Sequence, residues 1–403
     1  MKSVYFANNR QKLRQVLGSS PVIVTAYAQL QRGNDAAFKF EQEANFWWLT
    51  GIEAPDWQLI IDGSRHKSWL VAPDVDEVHR VFDGSLSPEE ALRMSGVDAV
   101  LTRAEAEEKV AELARQHAVV FTLGDDPYAE HYDFSRNPAP DALRRRLART
   151  FADVRSVRRE LSRLRAIKQP EEIAAMERAI AITIDAFQHV RPLLGSMRYE
   201  YEVEAEFSYY FRRHGAAGHA YDPIVASGAH ACTLHYDTNN GALADRQLLL
   251  LDIGARHEGY AADITRTYAV GEPTERQAAV HRAVAEAQRT IISLLKPGLS
   301  IKEYHESVDT IMQDTLLSLG LMKHREDAAS YRQYFPHAVS HGLGIDVHDS
   351  LGAPECLEPG MVLTVEPGVY IPKEGIGVRI EDDILITVDG HRNLTAVLST
   401  DLA

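Results

Sequence analysis

The sequence predicts a two-domain chain of the α/β class, on three observations. Its 403 residues, 45% hydrophobic and 25% charged, suffice for two ordinary hydrophobic cores. The first 155 residues alternate short β-rich runs with amphipathic helical runs, the pattern of an α/β domain. Beyond them, helical periodicity comes first and strand-rich segments follow, an α+β arrangement. The expected division is therefore 1–155 and 156–403.

In the first part, residues 21–28 (PVIVTAYA), 57–63 (WQLIIDG) and 118–124 (AVVFTLG) read as strands. Residues 87–96 read as a helix with Ser87 as N-cap, Pro88 in the first turn and Gly96 as the stop. Residues 102–118 read as an exposed amphipathic helix. Phe46, Trp47, Trp48 and Trp57 read as core packing or as an aromatic rim over a binding site. In a strand, Trp47 and Trp48 cannot both face one way, which places one of them at an interface. Asn137-Pro138-Ala139-Pro140 is expected to be a loop.

Ten Lys/Arg residues then fall between Arg144 and Lys168. They offer either an anion or partner surface or, as the favoured reading, the solvated face of a helix. Val157, Leu161, Leu164 and Ile167 form the opposite, apolar face at helical spacing. Pro170 suits the first turn of a further helix, with Ile173, Met176, Ile180, Ile184 and Phe187 following at spacings of three and four.

The formal net charge of −15 argues against a general nucleic-acid or anionic-membrane binder, since both need a positive footprint. Cys232 and Cys356 are the only cysteines, and two free thiols in a reducing cytoplasm is the simpler reading. The opening MKSVYFANNRQKL has no apolar core of a signal peptide, and no apolar run approaches the about 18 residues of a spanning helix. A cytoplasmic protein is expected.

Chemistry is announced by LLLLDIGARHEGYAADITRTY, residues 248–268. Four leucines read as a buried strand, yet Asp252 follows at once and Asp263 lies in the next strand-like run. In a hairpin centred between His257 and Glu258, the two aspartates are equidistant from the turn and face each other. At about 4 Å and an effective dielectric of about 20, such a pair repels by about 4 kcal/mol, and a cation between them reverses the sign. A register one residue different would point the two acids to opposite faces.

Residues 360–387 repeat the device. In a hairpin centred on Pro372-Lys373-Glu374-Gly375, Glu366 and Glu381 are again equidistant from the turn, with Pro367-Gly368 bending the first strand. FPHAVSHGLGIDVHDSLG, between the hairpins, supplies His337, His341 and His348, with Gly342 and Gly344 arguing for loop or strand there rather than helix. Four carboxylates and an imidazole suit a pair of hard or borderline divalent ions, Mn²⁺ ahead of a thiolate-type zinc site. Two such ions can lower the pKa of a shared water and polarise a carbonyl together, which is the equipment of amide hydrolysis. The residues alone do not choose among His337, His341 and His348.

These motifs resemble the pita-bread metallopeptidases, a family that includes methionine aminopeptidase, aminopeptidase P and prolidase. The resemblance implies the ligand set Asp252 (LLDIGA), Asp263 (GYAADITRTY), His341 (SHGLGIDVHD), Glu366 (TVEPGVY) and Glu381 (VRIEDDI), with Asp263 and Glu381 shared by two divalent ions, Mn first and Co or Zn as alternates. LHYDTN with His235 and DVHD with His348 are similar to the aminopeptidase P and prolidase branch, which implies catalytic histidines at both positions. FEQEANFWWLTGIEAPD (40–56) is similar to the creatinase-like N-terminal domain of that branch, so the resemblance covers nearly the whole chain. It implies hydrolysis of the bond before proline with Glu366 as general base, proline-containing peptides as partners, and a homodimer or higher homo-oligomer. Arg379, two residues before Glu381, is expected to orient that ligand or to make an ordinary cross-strand ion pair.

Two alternatives accompany this reading. A dipeptidase needs a cation for the substrate carboxylate, and prolidases generally carry an arginine between the histidine ligand and the first glutamate ligand. Residues 342–365 contain neither Arg nor Lys, which favours an aminopeptidase P-like enzyme over an Xaa-Pro dipeptidase. A non-catalytic peptide-binding module of the same fold, the other alternative, is opposed by five intact ligand positions.

Overall fold

The computed structural model describes residues 1–124 and 131–402. The chain forms two compact units, Met1–Leu164 and Arg165–Ala403. The division expected near residue 155 falls inside the strand Asp153–Ser156, which pairs parallel with Val119–Thr122 and so lies within the first unit.

The first unit is built on a mixed six-stranded sheet. Its order across the sheet is Ala99–Leu101, Lys67–Val71, Gln58–Asp62, Val22–Thr25, Val119–Thr122, Asp153–Ser156. Ile23, Ile60, Val71 and Val120 from the sheet share a core with Leu113, Leu143 and Leu147 from helices. The helix starts are the ones that local chemistry dictates. Ser87 and Thr102 each close a capping box, with Glu90 and Glu105 returning to the cap N–H. Gly96 stops the first of these helices in the left-handed region, φ 64°.

Two expectations for this unit are corrected. Asn137-Pro138-Ala139-Pro140 is no loop but the start of the helix Pro138–Leu147, with the Asn137 side chain accepting from the Ala139 N–H at 3.2 Å. Prolines in a first helical turn lose only N–H groups that have no helical partner, so they are tolerated there. Phe46, Trp47 and Trp48 lie on the short helix Ala44–Thr50, not on a strand, and both tryptophans are buried within the unit, as is Trp57. The Trp47 ring nitrogen is satisfied by Glu53 at 3.0 Å. Neither tryptophan is left for an interface, because helical geometry lets neighbours enter one core from adjacent angles.

In the second unit the leucine run forms the strand Gln247–Asp252, central between the antiparallel strands Ile224–Ser227 and Thr265–Val270. Leu249 and Leu251 pack with Ile180, Ile184, Phe187, Phe207 and Phe211 from the helices Pro170–Val190 and Glu200–Arg213. Leu248 packs on the other side with Val280, Val284 and Ile291 of the helix Glu275–Leu294. A strand buried on both faces needs no polar alternation, which accounts for four leucines in a row.

The hairpin register differs from expectation by two residues. Asp252 pairs with Thr265, and the ladder continues as Arg256 with Ala261. A shift of two preserves the facing of side chains, so Asp252 and Asp263 still project to the same side although they are not direct partners. In this register Gly254 stands beside the chain at Ala262, so close that an added Cβ would lie 1.7 Å from the Ala262 carbonyl oxygen.

In the second hairpin the expected register holds. Val362–Val365 pairs with Asp382–Thr387, and Gly368–Ile371 pairs with Ile376–Arg379. Glu366 and Glu381 sit where these two ladders meet, outside both, beside the Pro367-Gly368 bend.

Gly254→Ala should therefore destabilise the protein by about 1–3 kcal/mol or more, as overpacking against backbone does. Because the displaced backbone carries Asp263, divalent-metal binding should weaken in parallel. Thermal unfolding and metal analysis of this variant check both outcomes.

Candidate metal centre

Each of the five expected ligands sits at the end of a strand or in a loop bonded to one. The Glu381 N–H donates to the Thr265 carbonyl at 3.0 Å, which brings the second hairpin alongside the first. The Thr364 N–H donates to the His341 carbonyl at 2.9 Å, and the Glu366 N–H to the Val339 carbonyl at 2.9 Å, which lays the histidine segment beside Glu366.

The side chains converge. The Tyr221 hydroxyl lies 2.6 Å from a carboxylate oxygen of Asp252 and 2.6 Å from one of Asp263. His341 Nε2 is 3.4 Å from Asp263 and 3.3 Å from Glu366. Ligand atoms of Asp263, His341 and Glu381 all lie within 4.8 Å of one another. Asp252, Asp263 and Glu381 are buried, and His341 and Glu366 are half-buried.

Hydrogen bonds separate the three candidate histidines. His341 Nδ1 faces the Gly342 carbonyl at 3.0 Å, which directs Nε2 to the carboxylates, the orientation of a metal-ligating imidazole. Both nitrogens of His337 are occupied, Nδ1 by the Ala338 carbonyl and Nε2 by the Tyr370 hydroxyl, each at 2.8 Å. His348 is exposed, with its ring centroid 4.3 Å from that of His341. His235 is exposed too, in the stretch after the strand Ile224–Ser227.

Arg379 makes an ion pair, with Asp252 as its partner. Its guanidinium donates to Asp252 at 2.5 Å, to the Tyr370 hydroxyl at 2.9 Å and to Thr265 Oγ1 at 3.3 Å. It holds Asp252 directly and reaches Glu381 only through Thr265, whose hydroxyl donates to Glu381 at 2.6 Å. Two residues apart on a strand set the right face but not the partner, which lies on the other hairpin.

The electrostatics follow from crowding four acids into a buried space. Burial raises the pKa of Asp263, Glu366 and Glu381, and the neighbouring carboxylates raise them further. For His341, burial opposes the charge, but the Asp263 hydrogen bond and the Glu366 charge outweigh it and raise the imidazole to about 9. The cluster is thus short of positive charge. Oxygen-rich donors with one imidazole nitrogen turned towards them, at these separations, fit hard or borderline divalent cations once that nitrogen gives up its proton.

Several supporting residues carry little sequence signal. Tyr221, in the bend between the strands Gly218–His219 and Ile224–Ser227, follows no motif. Asp383 accepts the Asp263 N–H at 3.2 Å, and the buried Arg266 donates to the Glu381 carbonyl at 2.7 Å. Arg165 and Lys168, read from sequence as part of a solvated face, are buried on Asp349, at 2.8 and 3.2 Å. Charge counting assigned them to solvent. Their partner lies far along the chain, next to His348, so no local pattern reveals it.

Residues 174–388 match the model of metallopeptidase family M24, and residues 6–121 match the N-terminal domain of aminopeptidase P. The Xaa-Pro aminopeptidase of Escherichia coli is 36% identical over 97% of this chain and 94% of its own. Human Xaa-Pro aminopeptidase 3 is 33% identical over 98% of this chain and 84% of its own. Among solved structures, proline aminopeptidase P II from Yersinia pestis superposes with a TM-score of 0.85 at 36% identity, covering 100% of this chain and 98% of that one. E. coli aminopeptidase P with the inhibitor Pro-Leu gives 0.85 at 34%, covering 100% and 96%. The chain belongs to metallopeptidase family M24, in its aminopeptidase P branch.

Proposed function

We propose that this protein is an Xaa-Pro aminopeptidase, hydrolysing the bond before proline and releasing the N-terminal residue of a peptide. The observation that carries the proposal is the convergence of Asp252, Asp263, His341, Glu366 and Glu381 on one buried centre, in a chain similar to Xaa-Pro aminopeptidases along nearly all its length. The five residues would hold two divalent ions, with Mn²⁺ favoured by the oxygen-rich donor set. Such ions, when bound, would acidify a shared water and polarise the scissile carbonyl.

The protein's own groups supply the rest. Glu366, at the edge of the centre with a raised pKa, takes the proton of the attacking water as general base and passes it to the departing proline nitrogen. Part of the His348 ring stays open to solvent, but the packing on its inner side, and after it the charges of His341 and His235, lower its pKa to about 4, so at neutral pH the ring is uncharged. As a neutral donor it is suited to the oxygen on which charge develops, and His235 flanks the same place. Arg379 fixes Asp252 and, through Thr265, the setting of Glu381. The absence of Arg and Lys from residues 342–365 supports an enzyme that does not depend on a free substrate carboxylate there. Two free cysteines support a reducing compartment such as the cytoplasm, and the family resemblance extends the proposal to a homodimer or higher homo-oligomer.

Asp263→Asn and Glu381→Gln should each abolish activity and lower the metal content of the reconstituted protein below two ions per chain. His348→Ala should lower kcat while metal content stays near that of the parent protein. Metal analysis with parallel rate measurements checks both, and loss of metal in His348→Ala with none in His341→Ala would reassign the imidazole ligand.

A panel of Xaa-Pro-Yaa tripeptides, Xaa-Pro dipeptides and Xaa-Ala-Yaa tripeptides, with Mn²⁺ and with chelator, tests the function. The tripeptides with proline should be cleaved, those with alanine poorly, and chelator should abolish turnover. Cleavage of dipeptides alone would make the protein an Xaa-Pro dipeptidase, and full turnover in chelator would remove the metal-dependent reading.

A further inference from the structure

The helix Glu200–Arg213 begins with a carboxylate that none of the roles above uses. Glu200 is fully buried. One of its oxygens accepts from the Ser227 N–H and the Ser227 hydroxyl, both at 2.7 Å, and faces His230 Nδ1 at 3.0 Å. The other accepts from the Tyr236 hydroxyl at 2.9 Å and the Gly241 N–H at 2.6 Å. All five contacts come from one stretch, residues 227–241. The Glu200 backbone N–H returns to the Gly241 carbonyl at 2.9 Å. The position is suited to a negative charge, since it lies in the first turn of a helix.

The rest of this stretch is fixed around the same point. The His230 and Tyr236 rings stack, 4.5 Å between centroids and 23° between planes. Asn239, buried with φ 46°, accepts from the Val225 N–H at 2.9 Å and donates to Glu204, one turn along the same helix, at 2.9 Å. An added Cβ on Gly241 would lie 2.8 Å from Glu200 and 2.6 Å from the His230 ring, so the loop closes on the carboxylate without spare room. On its other side Cys232 donates to the Ile376 carbonyl at 3.4 Å, which fastens the loop to the hairpin bearing Arg379. His235 lies inside this stretch, immediately before Tyr236.

We propose that Glu200 is the positioning residue for His235: a buried carboxylate whose five contacts lock residues 227–241 so that His235 is held towards the metal centre. The proposal rests on the reading of His235 as a group that acts on the substrate. Glu200 touches neither substrate nor metal and acts through the loop alone. Its ionised form matters because an amide has one acceptor oxygen and an NH₂ group. That NH₂ group would confront N–H and hydroxyl groups that already donate towards it.

The test is a double-mutant cycle on kcat, using the full-length protein reconstituted with Mn²⁺ and a Xaa-Pro-Yaa tripeptide, with metal content measured for each variant. Glu200→Gln should lower kcat by about tenfold in the parent protein and by less than about twofold in the H235A background, with metal content unchanged throughout. Tyr236→Phe removes one hydroxyl and keeps the ring on His230. It should give a smaller loss that likewise vanishes in the H235A background, and it decides the matter if Glu200→Gln does not fold. Equal losses in both backgrounds, or no loss from either variant, would overturn the proposal while leaving the role of His235 intact. An H235A variant with undiminished kcat would remove the role of His235 itself, and the proposal with it.

Discussion

The interaction on which the second unit depends is the mutual repulsion of four carboxylates gathered where apolar strands end. Asp252, Asp263, Glu366 and Glu381 come from two hairpins, and burial deprives them of the solvent that would screen them. Within the chain, Arg379 on Asp252, the Tyr221 hydroxyl between Asp252 and Asp263, and His341 against Asp263 and Glu366 offset part of that repulsion. Burial first, and the neighbouring carboxylates after it, keep the pKa values of Asp263, Glu366 and Glu381 raised. Groups perturbed in this way, at one place, are the mark of a site rather than of a core.

The remaining architecture serves to hold those acids against their preference to separate. The leucine strand is buried on both faces, so its end cannot drift toward solvent. Glu381 is tied by its backbone N–H to Thr265, by its side chain to the Thr265 hydroxyl and by its carbonyl to Arg266. Arg266 itself is balanced by Asp382 at 2.7 Å, so a buried cation is paired and does not add to the charge of the centre. Asp349 does the same for Arg165 and Lys168 and thereby fixes the loop between His341 and His348.

Much of this was legible in the sequence, for reasons that differ by residue. Both acidic pairs could be found because hairpin pairing makes distance from the turn a proxy for distance in space. The second register holds, and the first is off by an even number of residues, an error that leaves the side chains on the correct face. The choice of His341 over His337 came only from family resemblance, and the hydrogen bonds of the two rings supply the physical reason. Contacts between distant segments were not legible. Arg379 lies on the strand face expected of it but bonds to Asp252 on the other hairpin. Arg165 and Lys168 sit in a basic run whose composition suggested solvent, while their partner is Asp349. Trp47 and Trp48 were misread because a short aromatic run does not by itself distinguish one helical turn from a strand.

The central claim is that the cluster needs positive charge and keeps protons until cations supply it. Isothermal titration of Mn²⁺ into the metal-free protein at pH 7, in two buffers of different ionisation enthalpy, tests this directly. His341, raised to about 9, must lose its proton to offer Nε2, and the raised carboxyls must do likewise. The account predicts saturable binding with net proton release, seen as a binding heat that changes with the buffer. Binding whose heat is the same in both buffers would show that the acids are already ionised together without a cation, and would contradict it.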